Sequence, residues 1–113
     1  MPINEWSDSI LIAELSDEPS FSEDMDALTR RVQDKGDQSP DVVLNMVGVT
    51  HLNSSNLASI LKLRKILIAA NRRLRICSLN DHVWSIMLIT GLDQLFDFTE
   101  DISTSLASLQ LDL

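Results

Sequence analysis

The sequence predicts an α/β domain: a four- to five-stranded, mostly parallel mixed sheet with about four helices packed on it. Two observations carry this. Apolar strand-like runs alternate with helical patterns in the order β, β, α, β, α, β, α, β, α, and connections of that length suit parallel strands with helical crossovers. The run VVLNM at 42–46 does not alternate apolar with polar residues, which suits a parallel strand covered on both faces. The chain has 113 residues, of which 44% are hydrophobic. That is enough for a packed core and fits a single domain over 1–113.

Each element has its own signal. Ile3–Trp6 is a weak first strand, and SILIAEL at 9–15 is a β-capable apolar run. SDEPSFS at 16–22 reads as a turn, because Pro19 excludes a helix interior. Ser22 then stands as the N-cap of a helix, with Glu23, Asp24 and Asp26 in its first turn, where the helix dipole favours negative charge. Met25, Leu28 and Val32 carry that helix to about Lys35, and Gly36 ends it. After the strand at 42–46, GVTHLNSSN is a loop. A second helix runs from Ser54 or Ser55 to about Asn71. Its expected inner face is Leu57, Ile60, Leu61, Leu67 and Ile68, broadened by Leu63 and Ile66. RLRICS at 73–78 alternates as a strand. Asn80 or Asp81 caps a short helix that Gly91 closes. LFDF at 95–98 is a last strand, and Ile102, Leu106 and Leu109 stripe a final helix.

Composition excludes several classes of function. Lys plus Arg is 9 and Asp plus Glu is 17, a formal net charge of −8, so neither nucleic acid nor anionic membrane suits as the main partner. No apolar run approaches the roughly 20 residues that span a bilayer. MPINEWSD has neither a basic start nor an apolar stretch, so no secretory signal is expected there and a reducing, cytoplasmic setting is. The charge is uneven. Residues 1–29 hold eight acidic groups and no Lys or Arg. Residues 62–75 hold Lys62, Arg64, Lys65, Arg72, Arg73 and Arg75, and nothing after Arg75 is basic. That basic stretch is either a solvated helix and turn or a docking face for an acidic partner.

Most chemistry is unsupported. His51 and His82 lie far apart in sequence and lack companions at metal-ligand spacing, so no metal site and no cofactor is expected. Cys77 reads as an inert buried thiol in a central strand. Three glycines cannot build a phosphate cradle, and no nucleophile elbow is present. Trp6, Trp84, Phe21, Phe96 and Phe98 are scattered along the chain, with no basic–aromatic interleaving for nucleic-acid stacking. The segment Leu52-Asn53-Ser54-Ser55-Asn56-Leu57 stands apart. Its polar residues suit capping of the second helix. They equally suit a phosphorylatable switch, since a phosphate at a helix N-terminus meets free N–H groups and adds roughly −1.5 to −2 charges.

VVLNMVGVTHLNSSNLASILKLRKIL resembles the central segment of the STAS domain, the fold of bacterial anti-sigma factor antagonists. That segment is an apolar strand ending in a polar residue, a "hydrophobic-x-x-hydrophobic-D-S-S-G-L" loop, and a helix with a basic middle. Val43, Leu44, Asn45 and Met46 match the strand, and Val49 and Leu52 match the loop's apolar positions. Ser54 matches the serine that is phosphorylated in the family, and Ser55 the one after it. Leu57, Leu61 and Lys62–Lys65 continue the match. Gly91-Leu92 and Leu95-Phe96 resemble the family's ending. Asn53 stands where Asp is usual, Asn56 where Gly is usual, and Ser16-Asp17-Glu18-Pro19 replaces an N-terminal G-E-L-D pattern.

The resemblance, over about residues 8–110, implies a STAS-like fold and a non-enzymatic regulator. Its partner would be an anti-sigma factor or related serine kinase, bound through the 47–57 loop and the following helix. Ser54 is the phosphorylation candidate and Ser55 the second choice. Asn53, Ser54, Ser55, Asn56, Leu57 and Lys62 are the expected partner contacts. One rival is a STAS scaffold or accessory subunit of a larger signalling or transporter assembly that is never phosphorylated. Another is a small hydrolase using Ser54 or Ser55 with His51, for which no acidic orienting group is evident. Oligomeric state is not legible.

Overall fold

The computed structural model describes residues 2–111. The elements are β1 (Ile3–Ser7), β2 (Ile10–Ser16), α1 (Ser20–Lys35), β3 (Asp41–Gly48), α2 (Ser54–Ala69), β4 (Leu74–Cys77), α3 (Asp81–Thr90), β5 (Asp97–Thr99) and α4 (Ile102–Gln110). One five-stranded sheet runs β1-β2-β3-β4-β5. β1 is antiparallel to β2, and every later pair is parallel. Each crossover moves one place along the sheet, so α1, α2 and α3 cover one face. Leu11, Ala13, Leu15, Val42, Leu44, Met46 and Ile76 meet side chains of these helices there. The other face carries Ile10, Ile12, Val43 and Cys77 beneath Leu109 of α4. Apolar residues therefore point both ways along β2 and β3, which is why the sequence of neither strand alternates. Burial pushes the Cys77 thiol pKa up, in keeping with an inert core thiol.

Four expectations need correction. Ser22 is not an N-cap: α1 begins at Ser20, and Ser22 gives both its N–H (2.8 Å) and its hydroxyl (2.6 Å) to the Glu18 carboxylate. The acceptor comes from the residue before Pro19, a position where no Ser or Asn marks a cap. The inner face of α2 is Asn56, Ile60, Leu63 and Leu67, not the stripe through Leu57, Leu61 and Ile68. Leu57 and Leu61 flank the core, and Ile68 is 54% exposed. β5 begins at Asp97, with Leu95 and Phe96 in the preceding turn. The aromatic residues are not all scattered: Trp84 meets Phe98 edge-on at 5.1 Å, and Phe98 lies 6.3 Å from Phe96.

Half of the basic stretch turns inward. Asp41, 4% exposed, accepts from the Arg73 backbone N–H (2.7 Å) and guanidinium (3.1 Å), and lies 3.3 Å from Arg72 Nε. Arg75 is buried and donates to Ser108 of α4 (3.0 Å) and to Asp97 (3.4 Å). These ion pairs tie the starts of β3, β4 and β5 together, and the Arg75–Ser108 hydrogen bond ties β4 to α4. Lys62 and Lys65 remain exposed on α2, with Arg64 half-buried between them.

Candidate functional site

The loops after β2, β3 and β4 converge at the carboxyl edge of the sheet, where open α/β folds place their sites. The loop between β3 and α2 spans residues 49–53. It is pinned inward by Val49, fully buried, and Leu52, 8% exposed. Gly48 lets it begin: a Cβ there would sit 2.9 Å from the Leu15 carbonyl oxygen, so β2 and β3 pass too closely for a side chain. Asn45, buried in β3, accepts from the Val47 N–H at 3.2 Å.

Acidic residues of the preceding loop hold this one. Asp17 accepts from the Thr50 N–H (2.8 Å) and hydroxyl (2.6 Å). These two bonds, the hydroxyl's first, set the Asp17 pKa below its ordinary value. Glu18 takes the two Ser22 bonds and a third from Asn56 Nδ2 at 3.0 Å, and its pKa is lowered chiefly by Ser22. Asn80 does the same from the other side. Its side chain donates to the Val49 carbonyl at 3.2 Å and accepts from the Val83 N–H at 2.8 Å, capping α3. None of Asp17, Glu18, Thr50 and Asn80 stood out as site residues in the sequence. Asp17 and Glu18 lie where the usual G-E-L-D pattern is missing, which is the one signal that pointed to them.

α2 opens on a reciprocal cap. Asn53 Oδ1 accepts from the Asn56 N–H at 2.8 Å, and Asn56 Oδ1 accepts from the Asn53 N–H at 3.0 Å. Asn56 is therefore helical, without the positive φ that a glycine equivalent would allow, and is 3% exposed. Its amide is engaged at both ends, so it positions the loop rather than presenting a contact. Ser54 and Ser55 occupy the first two helical positions, and both are exposed. Their N–H groups are among those a helix leaves without intrahelical partners. Leu57 is half-buried beside them, and Lys62 lies exposed further along α2. Thr50 spends its hydroxyl proton on Asp17, so its oxygen accepts from His51 Nδ1 at 3.1 Å. The fold also brings His51 and His82 together, ring centres 6.4 Å apart, although they are distant in sequence. Among the described residues no group of three or more His, Cys, Asp or Glu is placed to hold a metal ion. Among the described residues no helix is long and apolar enough to cross a membrane.

Comparison with known proteins agrees with this architecture. The family model for the STAS domain matches residues 3–108. No curated protein matches the chain significantly. Solved structures do. A candidate anti-sigma factor antagonist of Thermotoga maritima superposes with a TM-score of 0.83 at 17% identity, covering 96% of this chain and 93% of its own. An anti-sigma-factor antagonist (STAS) domain protein of Planctomyces limnophilus gives 0.81 at 11%, covering 96% of each chain. An anti-sigma factor antagonist of Mycobacterium paratuberculosis gives 0.78 at 17%, covering 96% of this chain and 91% of its own. At these identities the likeness is one of fold.

Proposed function

The chain belongs to the STAS domain family, and on that premise we propose that it is a non-enzymatic cytoplasmic regulator that acts as an anti-sigma factor antagonist. Its partner is an anti-sigma factor or related serine kinase. Contact runs through the 47–57 loop and the exposed side of α2, with Asn53, Ser54, Ser55, Leu57 and Lys62 touching the partner and Asn56 holding the loop in shape. One observation carries the reading: Ser54 is exposed at the first position of a capped helix, on a loop braced from both sides. In the switch, Ser54 Oγ attacks the γ-phosphorus of ATP held by the kinase. ADP leaves, and the hydroxyl proton passes to a base of the kinase. The new phosphate adds roughly −1.5 to −2 charges where the partner met a neutral hydroxyl, and binding weakens. Ser55 is the second choice as acceptor. The domain spans 1–113 as one unit.

Asn53 supports a second reading, a STAS scaffold or accessory subunit of a larger signalling or transporter assembly that is not phosphorylated. Asn53 keeps the capping acceptor but carries no charge beside the serine. Intact-mass measurement separates the readings, after wild type, Ser54→Ala and Asn53→Asp have been incubated with a serine-kinase anti-sigma factor and ATP. The switch predicts one added phosphoryl group on wild type and none on Ser54→Ala. Modification of Asn53→Asp alone would mean that the lost carboxylate has retired the switch. Modification of neither, with retained assembly, would leave the scaffold.

A further inference from the structure

A recess lies at the same edge of the sheet, beyond the loop. It is an open recess lined by Leu79, Asp81, Trp84, Phe98, Thr99 and Glu100, with a volume of about 440 Å³. That volume falls in the range of small-ligand and side-chain pockets, roughly 300–1,000 Å³. Trp84 and Phe98 meet at an interplanar angle of 82°, so one ring turns its edge to the other, and Trp84 stays 37% exposed. Asp81 and Glu100 are among its lining residues, and both are exposed. An aromatic wall beside carboxylates is the chemistry that holds a cation, and a planar guanidinium suits it better than an ammonium. No Lys or Arg of this chain lines the recess. The recess also adjoins the loop: Asn80, next to Asp81, donates to Val49, and His82 packs against His51.

We propose that this recess receives an arginine side chain of the protein partner that docks on the 47–57 loop. That the same partner fills both places rests on the function proposed above; the recess's affinity for arginine does not. The test therefore needs no partner. The chain has two tryptophans, so Trp6→Phe leaves Trp84 as the sole reporter. This variant is titrated with an acetylated tetra-arginine peptide and with its citrulline counterpart, which keeps the shape and removes the charge. The arginine peptide should change Trp84 fluorescence saturably, and the citrulline peptide should not. Adding Glu100→Gln should weaken binding by about threefold, the scale of one exposed charge pair. Adding Glu23→Gln, a charge removed from α1, should leave it unchanged. Equal responses to the two peptides, or equal weakening by Glu23→Gln and Glu100→Gln, would overturn the assignment. A positive titration combined with a Ser54→Asp variant that still binds its kinase would retain the arginine recess and reject the loop reading.

Discussion

Asp17 and Glu18 brace the start of α2 and the loop before it, Asp17 through Thr50 and Glu18 through Asn56. Asp17 is half-buried and Glu18 exposed, and the pKa of each is depressed by hydrogen bonds made only in the folded state. The sign of the pH dependence follows. A group whose folded pKa lies below its unfolded value contributes stability that is present above the unfolded value and lost as pH falls through the folded one. The ordinary values are 3.8 for Asp17 and 4.5 for Glu18, so the loop should hold at neutral pH and loosen as acid is added below that range. Amide exchange at Thr50 and Asn56, followed from neutral pH downward, should show protection falling there before it falls in β3. Asp17→Asn combined with Glu18→Gln should flatten that response; an unchanged acid limb in the double variant would contradict the bracing role.

Among the elements, β3 and the cap of α2 were legible in the sequence because local chemistry fixes them. VVLNM is apolar on both faces, and Asn53 and Asn56 are residues that satisfy free N–H groups wherever they fall. The phase of α2 was not legible. Leucine or isoleucine occupies seven of its positions, so several stripes look equally apolar, and only packing against the sheet and α1 selects the one through Ile60, Leu63 and Leu67. The start of α1 escaped for a related reason: its acceptor is a Glu four residues before the serine it holds, at a spacing no capping motif encodes. Burial predicts the energetics. Leu63→Ala and Leu67→Ala should each cost about 2–5 kcal/mol, and Ile68→Ala should stay within about 0.5 kcal/mol. Urea melts of the three variants check this, and a large loss at Ile68 would mean that α2 packs in another phase.

At the scale of the molecule, charge and topology separate structure from recognition. Arg72, Arg73 and Arg75 are committed to Asp41, Asp97 and α4 at the amino edge of the parallel strands. Lys62 and Lys65 stay in solvent on the helix that follows the loop. If they meet an acidic partner surface, affinity should fall as salt rises, because exposed charges are screened beyond about 10 Å at 0.1 M. A titration repeated at several salt concentrations, with and without Lys62→Gln, reads this directly, and a flat salt response would return both lysines to a merely solvated role. The central claim is that the partner docks over an exposed, uncharged position 54 and that negative charge there weakens binding. Calorimetric titration of a serine-kinase anti-sigma factor from the same organism into wild type, Ser54→Ala and Ser54→Asp tests it most directly. Wild type and Ser54→Ala should bind alike, while Ser54→Asp, folded to the same melting temperature, should bind at least about tenfold more weakly. Equal binding by Ser54→Asp would contradict the account.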